Sequence, residues 1–287
     1  MQLRKSERKR AKIKMALQGS AGSGKTMSSI LLSKGLTNNN LEKVAIIDSE
    51  HGSSDLYSNL GNYNVLNLKA PFTPEKYIKA IDICLDAGME CIVIDSLSHT
   101  WDELLDYHSK LPGNSFSNWS KITPRLNALI NKILQSDVHF IVTMRTKQDY
   151  VLNQKDGKYI PEKVGLKSIM RDGVDFEFTI VLDIDSKNYA VSSKDRTNLF
   201  SGKSEFKITE KTGRHILDWC NEPINNKPVS DKIQECLSVS QLMKLYKESP
   251  QFQHSHKEQF MSKKQQLENL VKPQNFSSNG TSNHLAH

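Results

Sequence analysis

Eight consecutive residues, Gly19-Ser20-Ala21-Gly22-Ser23-Gly24-Lys25-Thr26, constrain this chain more than anything else in it, because they match the spacing G-x-x-x-x-G-K-S/T. Glycines there let successive backbone N–H groups curl around phosphate oxygens that a Cβ would push away. Lys25 is placed to reach the β and γ phosphates, and Thr26 to offer its hydroxyl to Mg²⁺. The local setting agrees. Ile13 to Gln18 alternates apolar and polar residues like a strand, and a helix is predicted from Thr26 to about Leu36, its N-terminus adding partial positive charge. Strand, phosphate loop and helix specify the opening of an α/β domain that binds ATP with Mg²⁺; the alternative is a glycine-rich turn with no ligand.

The rest of the chain continues that plan. Val44-Ala-Ile-Ile-Asp48 and Cys91-Ile-Val-Ile-Asp95 are apolar runs ending in an acid, as in strands buried on both faces. Between them Thr73-Pro74-Glu75 supplies an N-cap, a first-turn proline and a first-turn acid for a helix running to Ala87 and stopping at Gly88. Leu126, Leu129, Ile130 and Ile133 mark a further helix before an apolar strand from His139 to Thr143. Phe176 to Asp183 and Tyr189 to Ser193 read as a late β-hairpin. The expected fold is a P-loop α/β core with a mostly parallel sheet flanked by helices, a late hairpin and a small helical C-terminal appendage. Its expected divisions are a basic arm at 1–12, the core at 13–220, a linker at 221–229, a helical segment at 230–272 and a disordered tail at 273–287.

Charge and cysteine content narrow the partners. A net charge of +7 attracts polyanions, of which nucleic acid is the commonest. The four cysteines form no Cys-x-x-Cys pair, so neither a zinc knuckle nor a disulfide framework is indicated, and a reducing compartment fits. The N-terminal basic arm is followed by no apolar signal segment, and no stretch approaches the roughly 18 apolar residues of a membrane span. A cytoplasmic protein with no membrane partner is expected. His254-Ser-His256 lacks further ligands and is assigned nothing.

Two carboxylates carry the expected chemistry. Asp95 closes its strand and is expected beside the P-loop, where it can hold a water on Mg²⁺; otherwise it is a strand-end acid satisfied by backbone N–H groups. ATPases of the AAA-plus type place a water-activating glutamate immediately after that aspartate, but Ser96 stands here, so a base must come from elsewhere. Glu50, two residues beyond Asp48, projects from the same sheet edge and is the candidate to aim a water at the γ-phosphate; its other reading is an exposed loop acid.

Taken together, the P-loop, Asp48-Ser-Glu50-His51, Ile94-Asp95-Ser96, Thr143-Met-Arg145-Thr-Lys147, Val164-Gly165-Leu166, Arg171-Asp-Gly173 and Lys194-Asp-Arg196 give the chain a family resemblance. It resembles the RecA-like core ATPases of phages, especially the Sak-four type of single-strand annealing proteins, over roughly Ile13 to Trp219. The resemblance implies that Lys194 and Arg196 reach across a subunit boundary to a neighbour's γ-phosphate. The catalytic set would then be Lys25, Glu50, Lys194 and Arg196, in a homo-oligomer, in a phage-infected or prophage-bearing bacterial cell. A solvated charged turn is the other reading of Lys194-Asp-Arg196. Two departures stand out. The family usually carries a phosphate-sensing glutamine where this chain has Thr143, Met144 and Arg145, so sensing either falls to Arg145 or is weak. The polymerisation helix is replaced by a short basic arm, leaving rings or short oligomers open.

From Arg145 to Arg171 seven basic residues face three acids, with tyrosines interleaved. Cations that follow phosphates and aromatics that stack on bases are what single-strand binding requires. Lys147, Tyr150, Lys155, Lys158, Tyr159, Lys163, Lys167 and Arg171 are therefore the candidate single-stranded DNA contacts. A second candidate loop, Leu111 to Lys121, offers Phe116 and Trp119. The expected function is an ATPase that binds single-stranded DNA and promotes annealing, with a single-strand binding protein as a further candidate partner. An ATP-gated loader, a helicase-type motor and a P-loop kinase are the alternatives.

Overall fold

The strand that feeds the phosphate loop lies at the centre of the sheet. The computed structural model describes residues 11–155, 158–221, 229–249, 253 and 255–271, and only the backbone of 148–155, 158–166, 270 and 271. In it β1 (Lys14–Gly19) lies between β5 (His139–Lys155) and β7 (Ile180–Ile184), parallel to both. On the β5 side follow β4 (Cys91–Asp95), β2 (Val44–Asp48) and β3 (Asn64–Asn67), all parallel. On the β7 side β8 (Tyr189–Asp195) and β9 (Phe206–Lys207) are antiparallel. The order is β3-β2-β4-β5-β1-β7-β8-β9, with β6 (Lys158–Ser168) paired to β5 alone. This is the expected α/β class, a mostly parallel sheet with a late hairpin.

Alternation along the strands builds two cores. Ala16, Ile92, Ile94, Phe140 and Val142 face one side, where α2 (Pro74–Asp86), α3 (Ser98–Ser109) and α4 (Ser115–Gln135) cover them with Tyr77, Ile81, Leu104, Leu126 and Ile133. Met15, Leu17, Val93, Ile141 and Leu182 face the other, under α1 (Lys25–Leu36) and α5 (Glu210–Asn221). Burying both faces explains why these strands are continuous apolar runs. Helices α1 and α5 cross closely: a Cβ on Gly35 would lie 2.2 Å from the Glu210 carbonyl oxygen, and one on Gly213 would lie 2.2 Å from that of Leu32. Helix α2 starts as its cap predicts, the Thr73 side chain accepting from the Lys76 N–H.

Three of the expected elements take a different form. Strand β5 does not end at Thr143 but runs on to Lys155, so the basic stretch after Arg145 is a long hairpin with β6 rather than a loop. From Thr146 onward the strand pairs with β6, and its sequence there is mostly polar and charged, which removes the apolar signal. The Leu111–Lys121 region is not all loop, because Asn114 caps α4 by accepting from the Phe116 N–H at 2.8 Å. Strand β7 begins at Ile180, four residues later than predicted, after a short turn of helix at Asp175–Glu177.

The chain divides after Pro223 into two units. In the second, α6 (Val229–Glu235), α7 (Val239–Glu248) and α8 (Lys257–Val271) pack around Ile233, Cys236, Leu242, Phe260 and Leu267. The first ten residues, residues 222–228 of the expected linker, and 272–287, which include the expected tail, lie outside the described residues, as does His254. Among those described, no helix is long and apolar enough to cross a membrane.

Candidate functional site

The phosphate loop takes its shape from glycines in the left-handed region, Gly22 at φ +79° and Gly24 at φ +84°. At its start, a Cβ on Gly19 would lie 2.4 Å from Ser23 Oγ and 2.6 Å from the Ile184 carbonyl, so the loop is packed against the end of β7. Lys25 is buried, and its Nζ donates to the Gly19 carbonyl at 2.9 Å and the Ser20 carbonyl at 2.8 Å. Burial lowers its pKa, while Asp95 and Glu50 pull the other way.

Asp95 does not stand on the strand next to β1, because β5 intervenes. Its carboxylate spans that gap: Thr26 Oγ1 donates to Oδ2 at 2.6 Å and Thr143 Oγ1, from β5, donates to Oδ1. Burial raises its pKa, opposed by those two hydroxyls. The Thr26 hydroxyl and the Asp95 carboxylate are therefore within hydrogen-bond distance, the pair of hard oxygen donors that Mg²⁺ takes beside phosphates.

Glu50 reaches the same cleft but is engaged. Arg145 grips it with both ends of its guanidinium, Nε to Oε1 at 2.8 Å and Nη2 to Oε2, and His99 Nε2 lies 3.8 Å from Oε1. The hydrogen bonds to Glu50 raise the Arg145 pKa. Burial lowers that of His99, whose Nδ1 meets Ser49 Oγ at 2.8 Å and whose ring stacks on Phe72. Asp48 is spent on the loop itself, accepting from the N–H groups of Glu50 at 2.7 Å and Ser54 at 3.0 Å and from the Ser54 hydroxyl. This fixes the backbone that carries Glu50. A cleft of about 240 Å³ is lined by Ala21, Gly22, Gly24, Lys25, Thr26, Glu50, Ser53, Tyr57, Asp95 and Arg145. Ser20 and Ser23 complete the loop, and the buried Ser23 Oγ has no hydrogen-bond partner among the described residues. A phosphate cradle, an orphaned hydroxyl and the Thr26 and Asp95 oxygens fit a magnesium-bound nucleoside triphosphate.

The sequence missed several of these groups. Asn188, in the β7–β8 turn at φ +66°, donates from Nδ2 to the Ser23 carbonyl at 2.9 Å and braces the loop. Its turn was legible in Asp185-Ser-Lys-Asn188, but its partner 165 residues away was not. His99 and Tyr57 carry no motif, and Thr143 was named within the run Thr143-Met-Arg145 without its bond to Asp95.

Lys194 and Arg196 lie away from the cleft. Lys194 pairs with Val181 and Asp195 with Ile180, while Ile180 pairs with Met15, so they sit near the opposite end of β1 from Gly19. Both donate to the Phe176 carbonyl, beside the exposed Phe176 ring. Asp195 between them is structural, accepting from the Thr197 and Phe200 N–H groups at 2.7 Å each.

A second concavity, of about 840 Å³, joins the two regions that the sequence treated apart. Trp101, Leu105, Phe116 and Trp119 form its apolar wall, and Lys147, Lys167 and Arg171 line it from the hairpin side. Trp119 stacks between Trp101 at 5.8 Å and His108 at 4.3 Å, while Phe116 is 87% exposed. Lys167 pairs with Asp172, and Arg171 Nη1 lies 3.5 Å from Asn127 Oδ1. The side chains of Tyr150, Lys155, Lys158, Tyr159 and Lys163 lie outside the described residues.

No curated protein matches this chain. Among solved structures it is similar to a KaiC-like protein from the hyperthermophilic archaeon Pyrococcus horikoshii OT3, at 19% identity and a TM-score of 0.41 over 69% of this chain and 86% of that one. A family model described as an AAA domain matches residues 11–220, the span that holds the phosphate loop, Glu50, Asp95 and the hairpin, and the chain belongs to that family.

Proposed function

We propose that this protein is an ATPase of RecA-like design that binds single-stranded DNA in the groove between α3, α4 and the β5–β6 hairpin, and promotes annealing in phage-type DNA metabolism. One observation carries the reading. Arg145 lines the nucleotide cleft and Lys147, two residues further along the same strand, lines the groove. Cations beside stacked, partly exposed aromatics are the chemistry that single strands require, since phosphates follow charge and every base has a face to stack.

In the cleft, the loop N–H groups and Lys25 hold the phosphates, and Thr26 and Asp95 hold the metal. Mg²⁺ held by Thr26 and Asp95 would supply charge neutralisation on the phosphate oxygens. Glu50 accepts the proton of the attacking water once it is free of Arg145. Lys194 and Arg196, being distant from their own cleft, act on the cleft of an adjoining copy in a homo-oligomer. Mixing Lys194→Ala protein with Glu50→Gln protein then restores part of the lost turnover, whereas no rescue in a well-assembled mixture places the pair elsewhere.

The deciding experiment is the ATP hydrolysis rate with and without single-stranded DNA over a salt series. Stimulation that fades with salt supports the reading, because phosphate contacts release counterions. DNA binding indifferent to nucleotide, or stronger for duplex, favours an ATP-gated loader, and phosphorylation of a small molecule favours a kinase.

A further inference from the structure

Both oxygens of the Glu50 carboxylate are taken by one side chain. Arg145 holds them with a parallel fork, Nε on Oε1 at 2.8 Å and Nη2 on Oε2, and both residues line the same cleft as Lys25 and Thr26. A carboxylate gripped in this way has its charge compensated and its orientation set by the guanidinium, so it is poorly placed to take a proton from water. The same fork fits a phosphate as well as it fits a carboxylate. We infer that Arg145 is an exchangeable clamp: without nucleotide it holds Glu50 inactive, and a terminal phosphate in the cleft draws the guanidinium away and releases the base.

The surroundings favour a swing of the side chain over a movement of the strand. The Arg145 N–H is anchored to Ser98 Oγ at 3.0 Å, and its carbonyl accepts from the Ile169 N–H at 2.7 Å, so the backbone is fixed on both sides. The Arg145 side chain is 38% exposed, which leaves it room to turn. His99, the other group near Glu50, holds Ser49 through Nδ1, and its Nε2 lies 3.8 Å from Oε1, too far for a hydrogen bond that would replace the fork. Glu50 in turn keeps its place when released, because the Asp48 carboxylate ties down its own N–H.

This inference rests on the nucleotide-binding reading, and the test separates the two. Equilibrium affinities for ADP and for the slowly hydrolysed ATPγS are measured on the full chain and on Glu50→Gln, Arg145→Gln and the double variant. If Glu50 competes with the terminal phosphate for Arg145, Glu50→Gln raises the preference for ATPγS over ADP by about tenfold, and Arg145→Gln removes that preference. In the Arg145→Gln background, Glu50→Gln then has no further effect on the ratio. An equal effect of Glu50→Gln in both backgrounds would reduce the matter to plain charge repulsion and overturn the clamp. So would a ratio unchanged by either single substitution, or an Arg145→Gln loss shared equally by both nucleotides, which is the mark of a packing role. Absence of any nucleotide binding by the unaltered chain would overturn the nucleotide reading itself.

Discussion

Two buried lysines sit at opposite ends of the same strand. Lys14 opens β1 and Lys25 follows its end; they are 6% and 8% exposed, and each gives its ammonium to two backbone carbonyls, Ser136 and Val138 for the first, Gly19 and Ser20 for the second. Burial lowers the pKa of both, that of Lys14 to about 8. Lys14 nevertheless lines none of the clefts described above. It lies over the Phe140 ring, in a corner closed by buried Cys91 and His139. Lys25 stands on the rim of a cleft with Thr26, Glu50 and Asp95. The contrast teaches that a desolvated lysine is not a site by itself. What makes one is the carboxyl edge of a parallel sheet, where loops from neighbouring strands diverge and leave space for a ligand.

The comparison is broken or sharpened first by catalysis. Glu50→Gln should slow hydrolysis by about 10²–10⁴ while ATP stays bound, as single-turnover assays would reveal, whereas Lys14→Met should leave the rate within a few-fold of the parent. Next, Lys25→Ala should weaken nucleotide binding on the order of a hundredfold, by loss of a buried cation facing phosphates, with calorimetric titration as the check. A similar loss in Lys14→Met would erase the distinction between the two ends. Along the same carboxyl edge, Trp119→Ala should weaken single-strand binding by about 1–3 kcal/mol with the salt slope unchanged, and Lys147→Ala should flatten that log–log slope by about 0.7.

The closed end is tested through stability instead of through binding. His139 accepts the Ile13 N–H at 3.1 Å, and burial pushes its pKa down to about 3, with Lys12 and Lys14 helping. The unfolded chain binds that proton near pH 6.5 and the folded chain only near 3, so its contribution is complete above 6.5 and is lost as pH falls through that window. His139→Asn should flatten the dependence of stability on pH by up to about 1.4 kcal/mol per unit between those limits, read from urea midpoints.

The sequence was legible where one physical cause acts locally. The glycine spacing of the phosphate loop, the acid-terminated runs at Asp48 and Asp95 and the Thr73 cap each announced their element. It was silent where the cause is a partner far along the chain. Arg145 and Glu50 are 95 residues apart, and nothing in either neighbourhood announces their pairing. Helix α3 escaped notice because Ser98-His-Thr100-Trp-Asp-Glu103 buries few of its side chains, and with it went Trp101, which completes the groove. The far half of β5 is polar and charged, so only its ladder with β6 marks it as a strand.

That unbroken strand also has a mechanical meaning. Lys155 stands ten residues beyond Arg145, roughly 33 Å at about 3.3 Å per residue, with no intervening coil to absorb movement. Tilting β5 by about 10° where it leaves the sheet would carry its far end through about 6 Å on that length. The pairing with β6 shifts register between Asp149 and Tyr150, the one irregularity along this arm among the described residues. Angular play near the cleft is thus magnified outward as travel at the hairpin's end, with leverage set by strand length alone.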